Sequence, residues 1–306
     1  MMIEKNNDYI SFVLSLNETI NEEYHISESV KAESMRLCCR IKEELNKHGS
    51  SRMLSGVAKK HVYFSETLFK ENVSIDCICY IFSNSTAFDE WITKLPQING
   101  VDTEQKLFKF TVLVIDRQII SKTLYDTVQH ECEHFFQELK IKKSFNITGS
   151  LYNFAVGNLG SPNEQLFVLS NIIYLSRKFE QEGFANGLYG YLYYNLLKDS
   201  NADIGSLLYT SDYRNMMERL KECQEYIVEH SNDGMLLMYI DRYFKKYGLN
   251  YNRFVKLSTE AFKKIKRKMI ETLIKVKKDL NIKDNKIIKW KNNGDIEYAA
   301  PNTIQL

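Results

Sequence analysis

Residues 130–134 read His-Glu-Cys-Glu-His, an HExxH sequence. On a helix, residues four apart share a face, so His130 and His134 can aim two imidazole nitrogens at one ion. Glu131 sits beside that pair, where it can hold and deprotonate a metal-bound water. The same five residues also satisfy the inverted H-x-x-E-H pattern, in which Glu133 would be the base. On a helical wheel the two acids point about 160° apart, so only one of them can reach the metal. The direct reading takes Glu131.

The flanking residues say whether the histidines face a usable side. Leu124, Val128, Cys132, Phe135 and Leu139 cluster within about 40° of one direction, and the two histidines lie about 200–240° round from it. Thr123, Thr127 and Gln137 accompany the histidines. Such a helix anchors one face to a core and offers the other for metal-ligand chemistry.

Two histidines do not complete a catalytic zinc site, which takes a third protein ligand and keeps a fourth position for water. The segment 179–189 reads Phe-Glu-Gln-Glu-Gly-Phe-Ala-Asn-Gly-Leu-Tyr. Within it, Glu182-x-x-Ala185-Asn186 resembles the Glu-x-x-Ser/Ala-Asp signature of the gluzincins, the thermolysin-like and neprilysin-like metallopeptidases. The resemblance implies that Glu182 is the third zinc ligand, with Glu180 as the alternative. It also implies that residue 186 accepts a hydrogen bond from a ligand histidine. Asn186 stands where the family has Asp, and an amide oxygen raises ligand basicity less than a carboxylate does.

Gly183, Gly187 and Gly190 fall in the same helical stretch, where each glycine costs about 1 kcal/mol relative to alanine. A close approach between this helix and the His130–His134 helix would explain them. Tyr189, Tyr152 and His230 are the candidates for a donor to an oxyanion, Tyr189 first.

The elements that must carry these residues follow from periodicity and breakers. Residues 26–48 read as an amphipathic helix with Ser27 as N-cap and Gly49 as terminator. Strands are expected at about 58–66, 74–83 and 106–116, the last apolar enough to be covered on both faces. A short helix near Ala87–Lys94 and a turn over Pro96 to Gly100 separate the second and third strands. Helices are expected near 119–141, 163–177, 179–198, 211–231, 235–247 and 251–280, with a glycine-bearing loop at 144–161. The tail 281–306, with Trp290 and Asn292-Asn293-Gly294, reads as a hairpin or docking strand.

The fold class is therefore α+β. It comprises a zincin-like core of helix, three-stranded sheet, HExxH helix and Glu-bearing helix, and then a helical C-terminal half. The division is 1–198 for the catalytic core with its N-terminal helical segment, and 199–306 for a helical region packed on it. In zincin-like enzymes a strand edge pairs with an extended peptide, and 74–83 or 106–116 is expected to supply it.

The 306 residues carry 41 Lys+Arg against 39 Asp+Glu, a net charge of +2, and are 44% hydrophobic. A buried core follows, and the near-neutral balance gives no global reason to expect nucleic acid. No run approaches the 18 or so apolar residues of a membrane span. The start, with Glu4, Lys5 and Asp8 before the apolar run 9–16, reads as a soluble helix rather than a signal peptide. Cys38, Cys39, Cys77, Cys79, Cys132 and Cys223 lack zinc-ribbon spacing and read as reduced packing thiols of a cytoplasmic protein. Lys263 to Lys278 form a basic helix interleaved with Ile265, Met269, Ile270, Leu273, Ile274 and Val276, read as a solvated face over a packed stripe. His25, His48, His61 and His230 stand alone and read as structural or exposed. The expectation is a zinc-dependent peptidase acting on a peptide or protein. The alternatives are a catalytically inactive, phage-associated zincin scaffold and a regulatory protease that cleaves a repressor partner.

Overall fold

A computed structural model describes residues 27–47, 56–96, 98–116, 118–120, 122–140, 150–282, 288–290 and 296–298. The helix expected at 9–16, the Gly49 terminator and the turn at 292–294 lie outside these residues. Helix α1 (Glu28–Lys47) precedes strands β1 (Val57–Leu68) and β2 (Glu71–Phe82). Helix α2 (Ser85–Trp91) leads to the short β3 (Gly100–Asp102), then β4 (Leu107–Ile115) and β5 (Gln118–Ile119). A π-helical turn over Lys122–Asp126 opens directly into α3 (Thr127–Lys140). Beyond it come α4 (Ser150–Gly157), α5 (Glu164–Leu175), α6 (Lys178–Lys198), α7 (Ile204–Thr210), α8 (Asp212–Glu229), α9 (Gly234–Tyr239) and α10 (Tyr251–Asp279). Strands Ile288–Trp290 and Ile296–Tyr298 pair antiparallel in the tail.

The main sheet is mixed, in the order β1-β2-β4-β3, with β5 also on β4. Strands β1 and β2 form an antiparallel hairpin, β2 and β4 run parallel, and β3 runs antiparallel to β4. The hairpin turn places Phe69 and Lys70 at φ 52° and 68°, a conformation usually given to Asn-Gly. The ring of Phe69 sits 5.1 Å from Phe136 and 6.2 Å from Phe135, so contact with α3 holds a turn the local residues do not favour.

Period-two alternation in β2 sends Val73, Ile75, Cys77 and Cys79 to one face and Tyr80 and Phe82 to the other. The first set meets Phe108, Phe110, Val112 and Val114 of β4 beneath α1 and α3; the second packs with Leu113 against α2. Each such side chain contributes roughly 1.5–3 kcal/mol when fully buried. Cys132 is part of this core, as its place on the wheel required. All six cysteines are free; Cys39 is exposed, and burial pushes the thiols of Cys77, Cys79 and Cys223 up to about 12.

Two expectations need correction. Neither 74–83 nor 106–116 is an edge: β2 lies between β1 and β4, and β4 between β2 and β3. The outer side of β4 between β3 and β5 is closed by side chains, since Asn99 Oδ1 accepts from Thr111 N and Thr123 Oγ1 from Leu113 N. The stretch 144–161 is not all loop, because Leu151 and Ala155 are buried by α4 among the helices.

The helical half has its own apolar core from Leu151 to Val276. The basic helix α10 packs its stripe there through Ile265, Met269, Leu273 and Val276, while Ile274 is exposed and Lys268 is buried. Near its end, Asp279 accepts from Tyr189 Oη at 2.6 Å and Lys31 Nζ at 3.0 Å, and pairs with Lys275 at 3.1 Å. One carboxylate thus fastens α1, α6 and α10 together.

Candidate metal centre

Helix α3 hangs on the sheet through its entry turn: Thr123 Oγ1 donates to Ile120 O and accepts from Leu113 N in β4. Its apolar stripe faces the sheet, and the opposite face meets α6. A Cβ added to Gly187 would collide with Asp126 Oδ1, and one at Gly190 would lie 2.6 Å from Gln129 Oε1. At Gly183 it would lie 2.8 Å from His134 Cε1 and 3.0 Å from His130 Nε2. The three glycines therefore mark the close approach that their cost implied.

Across this contact, His130 Nε2, His134 Nε2 and a carboxylate oxygen of Glu180 lie within 4.8 Å of one another. Glu180 Oε2 is 3.8 Å from His130 Nε2 and 3.6 Å from His134 Nε2, with the two rings at 4.5 Å and nearly perpendicular. These separations are too long for hydrogen bonds. They are close to the roughly 3.4 Å edge of a tetrahedron with zinc-ligand bonds of about 2.0–2.1 Å. Glu180 Oε2 is buried without a hydrogen-bond partner and faces the two imidazoles. Phe184 stands edge-on to His130 at 4.7 Å and Phe179 to His134 at 5.4 Å, walling the group with apolar surface.

The electrostatics divide the two imidazoles. Burial, aided by the neighbouring His134, drives His130 down to about 3, so it is neutral. Burial also opposes charge on His134, but Glu180, Glu131 and Glu133 outweigh it and raise that imidazole to about 9. Glu180 stays ionised: burial works against its charge, and the two histidines with Tyr174 more than offset it.

Glu131 is buried, within electrostatic reach of His134, Glu180 and the backbone N–H of Val101 in β3. Burial pushes its carboxyl up to about 7, against the lowering effects of His134 and that N–H. The Val101 amide of the edge strand thus favours the ionised form of Glu131. Glu133 points elsewhere. It accepts from Gln137 Nε2 at 2.9 Å and Asn186 Nδ2 at 3.0 Å, and burial with the neighbouring Glu182 pushes it up to about 7.

The sequence-derived ligand set is brought together in part. His130 and His134 converge as expected, but the carboxylate that joins them is the alternative, Glu180. Glu182 accepts instead from Gln137 Nε2 at 2.7 Å and Lys268 Nζ at 3.5 Å. Asn186 donates to Glu133 rather than accepting from a ligand histidine. Tyr189 is fully buried on Asp279 and does not face the centre. His230 stacks on Tyr226 in α8, with Nδ1 2.9 Å from the Tyr226 carbonyl oxygen. Tyr152 does reach the site, but as a donor to Glu180 Oε1 at 2.8 Å.

The signal for Glu180 was present in the glycines. Counting 100° per residue, Glu180 lies about 50° from the mean direction of Gly183, Gly187 and Gly190, and Glu182 about 110° from it. Comparison with protein-family models, curated proteins and solved structures finds no match for this chain. The geometry alone defines a His-His-Glu group that could hold a metal ion. Among the described residues no helix is long and apolar enough to cross a membrane.

Proposed function

We propose that the chain is a zinc-dependent peptidase, with His130, His134 and Glu180 as the metal ligands and Glu131 as the general base. One observation carries this reading: donor atoms of His130 and His134, four apart on one helix, and of Glu180 from the facing helix lie within 4.8 Å of one another. Two imidazoles and one carboxylate are a donor set that suits zinc and leaves a coordination position open. Bound there, zinc supplies a Lewis acid and a water acidified to a pKa near 7. The protein's own part is then proton handling. Glu131, buried next to the ligand His130 and within electrostatic reach of His134 and Glu180, would take a proton from water and return it to a leaving amine. Phe179 and Phe184 limit access of bulk water to the same atoms. In this reading residues 1–198 form the catalytic unit, and 199–306 brace it.

The test is metal analysis and hydrolysis of a mixed peptide library by wild type, Glu131→Gln and His134→Ala. About one zinc in wild type and Glu131→Gln, lost in His134→Ala, with hydrolysis by wild type alone, is the expected result. A wild type without metal after zinc reconstitution overturns the site. A metal-loaded wild type matched in activity by Glu131→Gln overturns the assignment of the base.

A further inference from the structure

The two oxygens of Glu180 are treated differently. Oε2 faces the imidazoles and has no hydrogen-bond partner, whereas Oε1 accepts from Tyr152 Oη at 2.8 Å. Tyr174, whose ring stacks on Tyr152, also helps to hold the same carboxylate ionised. The two tyrosines come from different helices, α4 and α5, and their rings stack at 6.2 Å and 24°. Tyr152 also packs edge-on against Phe179 at 5.5 Å, and Phe179 packs against His134. Ring packing alone would be served as well by phenylalanine, so the hydroxyls are what require a reason.

We infer that Tyr152 and Tyr174 are positioning residues that fix Glu180 so that Oε2 alone is presented to the metal. The inference rests on the proposed ligand set. A neutral phenol suits this task. It occupies Oε1 and fixes the carboxylate rotamer without contributing a positive charge that would compete with a cation for Glu180. Holding Oε1 back also keeps Glu180 from filling the coordination position a substrate water needs. The tyrosines thereby tie the geometry of the centre to α4 and α5, two elements that carry none of its ligands.

The experiment uses the full chain as wild type, Tyr152→Phe, Tyr174→Phe and the double variant, each loaded with zinc or cobalt(II). Competitive titration should show zinc affinity about 10-fold weaker in each single variant and up to about 100-fold weaker in the double. The visible cobalt band should lose intensity as the released carboxylate offers both oxygens. The unfolding midpoint of the metal-free protein should stay close to wild type. A double variant within twofold of wild type in affinity, with an unchanged cobalt spectrum, overturns the inference. So does a loss of affinity that tracks an equal loss of metal-free stability, which would mark the tyrosines as packing residues. Should the double variant fail to fold, Tyr152→Phe decides by the same criteria. A wild type that binds no metal removes the ligand set and this inference together. A wild type that binds one metal while the variants bind equally well removes this inference alone.

Discussion

Replacing Gly183 by alanine should weaken metal binding while leaving the metal-free protein folded. The new methyl group would lie 2.8 Å from His134 Cε1 and 3.0 Å from both Cε1 and Nε2 of His130. Carbon atoms in good contact sit about 3.5–4.0 Å apart, so both rings must retreat by roughly 0.5–1 Å. Metal-ligand distances tolerate only about 0.2 Å. Zinc affinity should therefore fall at least 10-fold, about 1.4 kcal/mol, and up to 100-fold. Folding should suffer little, because imidazoles are side-chain ends that can turn, and alanine gains about 1 kcal/mol of helix propensity over glycine. Gly190→Ala is the control. Its methyl would meet the backbone oxygen of Tyr125 at 2.8 Å, which cannot turn aside. Overpacking of that kind costs about 1–3 kcal/mol and should exceed the helix gain. Competitive zinc titration and thermal unfolding of the metal-free proteins separate the two effects. A Gly183→Ala protein stabilised by about 1 kcal/mol, with unaltered zinc affinity, would refute the close-approach argument.

Three further outcomes can be checked. Glu180→Gln should cost at least 100-fold in zinc affinity. Glu182→Gln should leave affinity within a few-fold and instead cost about 1–3 kcal/mol of stability through its weakened contact with buried Lys268. Zinc uptake at pH 7 should release at least one proton, chiefly from His134 (raised to about 9) with a further fraction from Glu131 and the bound water, and none from His130 (lowered to about 3). Calorimetric titration in two buffers of different ionisation enthalpy measures this, and affinity should climb between pH 7 and pH 9. Burial alone would raise the Asp279 carboxyl, but Tyr189, Lys31 and Lys275 outweigh it and hold it down to about 2, against about 3.9 in an unfolded chain. Its contribution, about 1–2 kcal/mol after screening, is complete above roughly pH 4 and is lost as pH falls through 2. Asp279→Asn should reproduce that loss at neutral pH in a denaturant titration.

The long strands and helices were legible because their patterns are periodic: β2 alternates, α8 and α10 carry clean apolar stripes, and Ser27 opens α1. Strands β3 and β5 were not, because three and two residues cannot show a period and their positions come from pairing with β4. Helix α4 was hidden by Gly149, Gly157 and Gly160, which read as breakers although the residues between them are apolar enough to be buried. In the centre, His130, Glu131 and His134 follow from spacing within one helix. The third ligand depends on how α6 is rotated against α3, a tertiary quantity. A short motif pointed to Glu182, while the glycine face recorded the actual rotation and pointed to Glu180. Asn186 follows the same logic: its side chain meets α3 at Glu133 rather than at a histidine.

The clasp at Asp279 has a consequence for how the protein is born. Its partner Tyr189 lies 90 residues earlier in the chain, on the helix that bears Glu180. At a synthesis rate of about 5–20 residues per second, the nascent chain carries His130, His134 and Glu180 for roughly 5–20 s before the clasp is made. During that interval α6 has neither Asp279 at Tyr189 nor Lys268 at Glu182. Packing of α10 is therefore a late event, which adds the Asp279 clasp and the Lys268–Glu182 contact to an α3–α6 contact that can form before it.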